Sequence, residues 1–500
     1  MTHGLDCILI HPNGRSDSYQ GLHAANLTAI EPPIWCLLLA SYLRKRGRSV
    51  EILDAVADNL TPAQVADIVA DKRPRLVAVV VMGQNPNSSS QTLPAAGAVV
   101  QAVKSRASFS LVGMVGGHVA ELPERTLTEE RPTFVISGEG PETLNDLVDF
   151  AQYPDPRFEP PGLWWKGGND VTYHTEPAPL VQNLDEEMPG GCYDLLPMER
   201  YTCHNWHGWG QLSRKPYAAI YTTLGCSFGC EFCCINSVFQ DGAKLAGLKG
   251  NSYRMWRPQH VGSTIERLYH QYGVRNLKIA DEMFVLNKSH VIGVCDEILQ
   301  RKLTGLNIWA YARVDTAKDE RMLDKLASAG FRWLALGIES ASSDVRNGVD
   351  KGYKQDLIYS TVERIRSRGI SIGANYIFGL PDDDLSSMEA TFDLACELNT
   401  EYANFYPMSI FPGSPLWDQA VANGTYLPSD WSQYAPLAKN FHPHPTKHLS
   451  GKQVLQFRDD AFVRYFERPA YTDMIDRRFG PDAVKQVREM TAVKIERGTP

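Results

Sequence analysis

No stretch of this 500-residue sequence approaches the roughly 20 consecutive apolar residues that a membrane-spanning helix requires. No run of lysine and arginine concentrates positive charge, and the formal net charge is −8, so a nucleic-acid partner is not expected. The basic residues at Leu43–Arg48 and Arg364–Arg368 read as solvated helix ends. The first residues lack a secretory signal pattern and run directly into an apolar strand at Cys7–Ile10, which predicts a cytoplasmic protein. Ten cysteines are too few for a disulfide scaffold at this length. Cys7, Cys36, Cys295 and Cys396 stand in apolar surroundings and are expected to be packing thiols. Internal repeats and low-complexity tracts are missing. No G-x-G-x-x-G follows the first strand, which argues against a dinucleotide site. What is present is ordinary globular composition, 43% hydrophobic and 22% charged, and length enough for more than one core.

The first 150 residues alternate strand and helix. Asp6–Ile10, Ser49–Leu53, Leu76–Met82, Ser110–Val115 and Thr133–Ile136 have strand character, and the Val-rich Leu76–Met82 run suits a parallel sheet buried on both faces. Helices are predicted at Pro33–Arg46, Pro62–Ala70 behind a Thr61 cap, Ala95–Lys104, Pro123–Glu129 and Pro141–Phe150. Residues 151–212 break this pattern with frequent Pro, Gly and Trp, as a linker that covers part of another domain would. From Pro216 the alternation resumes, with strands at Ala218–Thr222, Leu277–Ala280, Ile308–Tyr311, Trp333–Gly337, Ser371–Phe378 and Ala403–Ser409. The expected fold is α/β: a doubly wound Rossmann-like domain over 1–150, a covering segment over 151–212, a partial (βα)6 TIM-like barrel over 213–420 and a helical C-terminal extension over 421–500.

The segment Thr222–Cys233 follows the first barrel strand and spaces Cys226, Cys230 and Cys233 as C-x3-C-x2-C. Thiolates suit iron–sulfur clusters, which normally take four. No fourth cysteine stands at a suitable local offset; Cys234, adjacent to Cys233, is expected to point away and pack. Three thiolates on a 4Fe-4S cluster leave one iron open to a ligand. A Cys3His zinc site completed from His204 or His207 is the competing reading. Phe232 is placed to shield a cluster.

This loop resembles that of the radical S-adenosylmethionine (SAM) superfamily, over about residues 213–420. The resemblance implies that SAM chelates the open iron and is cleaved to methionine and a 5′-deoxyadenosyl radical that abstracts hydrogen from a substrate. An electron donor such as flavodoxin or ferredoxin would reduce the cluster. It implies roles for residues at strand ends: Asp281 and Glu282 facing the SAM amino group, Arg313 pairing its carboxylate, Glu339 and Ser340 contacting its ribose, and Asn375 lining the adenine. Helix capping by Asp281 and a structural ion pair at Arg313 are the plainer alternatives.

Ahead of the barrel, the loops that end the sheet strands carry Asn13, then Gly83, Gln84 and Asn85, then Gly116, Gly117 and His118, then Gly138, Glu139 and Gly140. They lie where a doubly wound sheet binds ligands. With this domain order, they resemble the cobalamin-binding domain of the B12-dependent radical SAM subfamily, which implies cobalamin contacts at those residues. Leu9 stands where other cobalamin proteins carry an Asp two residues before a cobalt-binding His. Lacking that partner to fix its tautomer, His11 is not expected to ligate cobalt. The resemblance implies an enzyme that methylates an unactivated carbon of a small-molecule substrate through methylcobalamin. Ring contraction or cyclisation with the same cofactors is the second reading, and a zinc-stabilised cobalamin carrier without redox chemistry the third. His204–Trp209, Phe405–Pro407 and Phe411–Pro415 are candidate site-lining loops, and Phe457–Phe462 is expected to cover the open side of the barrel.

Overall fold

The computed structural model describes residues 4–82, 89–155, 157–210, 213–248 and 252–498. Two sheets organise it. The first contains β1 (Leu5–His11), β2 (Val50–Asp54), β3 (Pro74–Val80), β4 (Leu111–Val115), β5 (Phe134–Ile136), β6 (Leu163–Lys166) and β7 (Thr172–His174), in the order β2-β1-β3-β4-β5-β6-β7. The first five strands are parallel, and β6 and β7 run antiparallel. Order 2-1-3-4-5 puts the switch point between β1 and β3, where ligands bind in doubly wound sheets. β3 is buried along nearly its whole length, as a parallel strand covered on both faces must be. The β6–β7 hairpin was not foreseen in the 151–212 segment; Trp164 and Trp165 pair it onto the edge strand β5.

Beyond it come β8 (Tyr217–Ile220), the short pair β9 (Thr223–Leu224) and β10 (Arg254–Met255), then β11 (Asn276–Ile279), β12 (Asn307–Arg313), β13 (Phe331–Glu339), β14 (Ser371–Phe378) and β15 (Tyr402–Pro407). β8 and β11–β15 form one parallel six-stranded sheet with helices between the strands. β8 and β15 do not pair, so the barrel is incomplete, as expected. Helix Gly451–Phe466, started by a Ser450/Gln453 capping box, lies against the free edge. Its Arg458 donates to the Phe405 carbonyl of β15, and its Phe457 meets Phe378 edge-on.

The loop His204–Trp209 does not line a C-terminal site. His207 is fully buried and bonds the carbonyl of Asn307, the first residue of β12. Trp206 packs on Trp309, Trp333 and Tyr402. Together they plug the N-terminal end of the barrel.

Candidate functional site

In the cluster loop Gly225 takes φ +78°, and a Cβ there would meet the Ser252 hydroxyl at 2.3 Å and its carbonyl at 2.8 Å; only glycine fits this turn. Asn236 clamps the loop. Its side chain accepts from the Cys226 amide at 3.0 Å and donates to the Cys226 carbonyl at 2.9 Å. Cys226, Cys230 and Cys233 are partly exposed, whereas Cys234 is buried, as expected of a packing residue. Cys7, Cys36 and Cys295 are likewise buried, but Cys396 is only partly so.

The three thiols are close enough for their charges to interact. Burial first, and then the negative charge of neighbouring thiols, pushes Cys226 up to about 11 and Cys233 to about 12. Thiolates gathered here therefore require positive charge. Arg313 Nη1 stands 3.4 Å from Cys230 Sγ, with the guanidinium 3.9 Å over the Phe228 ring and Nε bound to Asp315 at 3.0 Å. The structural ion pair and the approach to the site coexist. Lys351 supplies a second cation, acting on Cys230 and Cys233. Its partner is Glu339, which ends β13 at φ +64° after a register shift. Sequence reasoning found Glu339 but missed Lys351, which lies beyond its strand in the following loop.

Asp281 and Glu282 divide their work. Asp281 is fully buried and accepts from the amide of Thr222 at 2.6 Å and its hydroxyl at 2.5 Å. It caps no helix and braces the base of the cluster loop. Neither carboxyl oxygen of Glu282 has a hydrogen-bond partner among the described residues. Burial, with the Asp281 charge beside it, raises its pKa to about 8. An orphaned acid beside Cys226 is suited to receive a donor from a ligand.

Alternate strand residues face the barrel interior. Asn375 accepts from Asn404 at 2.9 Å. Nothing lies within 4 Å of the Cβ position of Gly373, and Tyr406, 45% exposed, interacts with Tyr311, Tyr402, Tyr19 and Glu339. These residues outline an interior chamber. Ser340 is not part of it: its hydroxyl is fully enclosed against Thr391 and the Ser342 amide. Phe232 packs against the apolar ends of β14 and β15. Pro412–Pro415 makes a turn whose Ser414 caps the following helix.

His204 is 3.9 Å from Glu31 and His207 plugs the far end of the barrel, so neither completes a zinc site. Among the described residues no three His, Cys, Asp or Glu side chains are arranged to hold one metal ion. Thiolates around a cubane each bind a different iron and need not converge on one point.

In the N-terminal sheet, Gly116 has φ +146°, and its Cβ position is 2.1 Å from the Val81 carbonyl. The Gly117 amide approaches Met82 Sδ at 3.0 Å. Gly138 and Gly140 have φ +81° and +85°. Asn13 bonds Asn59 and the Arg15 amide at the mouth of β1. Gly83, Gln84 and Asn85 lie outside the described residues. Two expected cofactor contacts are otherwise engaged. His118 bonds Ser90 and meets the Trp431 ring edge-on at 4.1 Å, because the C-terminal extension covers it. Glu139 is bound by Arg254 of β10 and the Val181 amide. Leu9 does not leave His11 without a partner, contrary to expectation: His11 Nδ1 bonds Asp54 of the neighbouring strand at 2.9 Å. Tyr201 and the amides of Val56 and Ala57 hold Asp54 in turn.

Comparison with known proteins fits this geometry. The radical SAM superfamily model matches residues 220–395, and the B12-binding domain model matches 22–148. The uncharacterized methyltransferase PH0819 of Pyrococcus horikoshii is 30% identical over 448 residues, 88% of each chain. The chain belongs to the cobalamin-dependent radical SAM family. Another relative of this enzyme is the anaerobic magnesium-protoporphyrin IX monomethyl ester cyclase of Cereibacter sphaeroides, 25% identical over 82% of this chain and 63% of its own. Among solved structures, the radical SAM methyltransferase TsrM of Kitasatospora setae superposes with a TM-score of 0.69 at 17% identity, over 97% of this chain and 98% of its own, which establishes a shared fold. No helix among the described residues is long and apolar enough to cross a membrane.

Proposed function

We propose that the enzyme is a methyltransferase that modifies an unactivated carbon of a small molecule held in the barrel chamber. The observation that carries this is the meeting of two ligand edges. Tyr19 and Glu31, which follow β1 of the N-terminal sheet, interact with Tyr311 and Lys278 inside the barrel. A substrate there would face both the cysteine loop and the cobalamin edge. Cys226, Cys230 and Cys233 would hold a 4Fe-4S cluster, and Gly116, Gly117, Gly138 and Gly140 would admit cobalamin. When bound, these groups with SAM supply a hydrogen-abstracting radical and a transferable methyl group.

The residues have separate tasks. Glu282 accepts from the SAM amino group, and Arg313 and Lys351 offset thiolate charge and receive a carboxylate. Glu339, held by Lys351, contacts ribose hydroxyls, and Asn375 with Asn404 lines the wall. Tyr311 and Tyr406 exclude water from the chamber. A flavodoxin or ferredoxin is the suitable electron donor.

The test is anaerobic reconstitution with iron, sulfide and cobalamin, followed by incubation with methyl-labelled SAM, a low-potential reductant and candidate substrates. Label in a carbon-bound methyl of the product, with 5′-deoxyadenosine formed alongside, is the expected result. A rearranged product without label would favour the cyclisation reading, which the cyclase relative keeps in view. Zinc in place of iron would overturn both.

A further inference from the structure

Arg15 stands at the start of the helix that follows β1. Its side chain is 9% exposed, yet its Nη2 donates only to the Thr28 hydroxyl, at 2.6 Å, and its Nε has no partner. Among the described residues no carboxylate forms an ion pair with it. Asp54 is an acid it senses, but that carboxylate already serves His11, Tyr201 and two backbone amides. Arg214 lies beside it and spends its guanidinium on the carbonyls of Cys203, Asn26 and Thr28. Arg15 is thus an enclosed positive charge without a negative one, and the partly buried Arg214 beside it brings none. The third cation nearby, Lys278, is matched by Glu31 at 2.8 Å.

A buried unpaired charge is costly and is retained where a partner arrives from outside. Tyr19 follows Arg15 by four residues, on the same helix face. Its hydroxyl bonds no described residue, and it interacts with Arg15, Glu31 and Lys278. Tyr311 and Tyr406, both close enough to Tyr19 to interact with it, likewise offer hydroxyls without a described partner. His23, beyond the backbone break at Gln20, adds a buried Nδ1 with none.

We propose that this basin binds an anionic oxygen group of the substrate, a phosphate or carboxylate, with Arg15 as its ion-pair partner and the Tyr19 phenol as a hydrogen-bond donor. The inference rests on the chamber being the reaction site, and it commits the substrate to an acidic group at one end. The carbon to be modified then lies on the far side of Tyr311, toward Glu282 and the cysteine loop.

The experiment is thermal melting of the cluster- and cobalamin-loaded protein with and without inorganic phosphate, and with acetate as the carboxylate probe. Phosphate, acetate or both raise the Tm of the wild-type protein. Arg15→Gln melts higher than wild type without added anion, because it removes an uncompensated charge, and its apparent anion affinity falls about tenfold. Arg15→Lys keeps most of the anion response, and Tyr19→Phe weakens it while leaving the charge in place. A merely structural Arg15 would give the opposite sign, a lower Tm in Arg15→Gln with an unchanged anion response, and that outcome overturns the proposal. So does a wild-type protein that neither anion stabilises. A parallel arm loads cobinamide, which lacks the phosphodiester of cobalamin. If the anion response appears with cobinamide and vanishes with cobalamin, the basin holds the cofactor tail and the substrate assignment fails. Melting needs no turnover, so these outcomes are read independently of the methyl-transfer assay.

Discussion

Arg254 donates from Nη1 and Nη2 to the two carboxylate oxygens of Glu139, at 3.0 and 2.6 Å, with both side chains buried. The pair joins β10, behind the cluster loop, to the crevice of the N-terminal sheet. Removing one partner leaves a buried charge. Arg254→Ala or Glu139→Ala should each cost about 3–5 kcal/mol, read as a lower urea midpoint. Arg254→Met with Glu139→Leu should recover much of that loss.

Cys230→Ala should abolish formation of 5′-deoxyadenosine, because it removes one of three cluster thiolates. Iron and sulfide content should fall with it. Cobalamin retention, followed by its absorbance after desalting, should remain largely intact. Survival of SAM cleavage in this variant would remove the basis for the radical reading.

Gly225 in the cluster loop and Gly373 of β14 should respond oppositely to the same change. Gly225→Ala forces a Cβ into Ser252 at a positive φ and should lose about 2 kcal/mol or more together with cluster content. Gly373→Ala enters open space and should be near neutral in stability. Gly373→Leu should fill the chamber and suppress substrate-dependent turnover while leaving the protein folded.

Four enclosed imidazoles make the fold acid-sensitive. Burial holds His118 and His207 near pKa 3 and His290 and His444 near 4, against about 6.5 unfolded. The unfolded chain therefore binds more protons below pH 6.5. Stability is full above that value and is lost as pH falls toward 4. At pH 5.5 each group should contribute about 1.4 kcal/mol of this loss. His118→Gln should flatten the difference between urea midpoints measured at pH 7.5 and 5.5 by about that amount.

Parallel strands and the cysteine loop were readable because their signals are local. A strand covered on both faces must be apolar throughout, as β3 is, and C-x3-C-x2-C lies within eight residues. The partners that finish the site were not readable, because chain distance hides them. Asp54 is 43 residues from His11, and Arg254 is 115 from Glu139. Lys351 and Asn236 look like ordinary loop residues until the fold sets them against Glu339 and Cys226. Phe405–Pro407, expected as a loop, is the end of strand β15, and the aromatic richness of His204–Trp209 misled, since a barrel needs rings to seal its closed end as much as to line its open one.

Glu31 reaches from the N-terminal region into the barrel, where it neutralises Lys278 and receives the Tyr217 hydroxyl. A barrel expressed alone from residue 213 would keep Lys278 as a stranded ammonium among Trp309 and Tyr217, with no acid to answer it. The two halves therefore cannot be recombined freely with those of relatives: any graft must carry the acid and the lysine together, or neither.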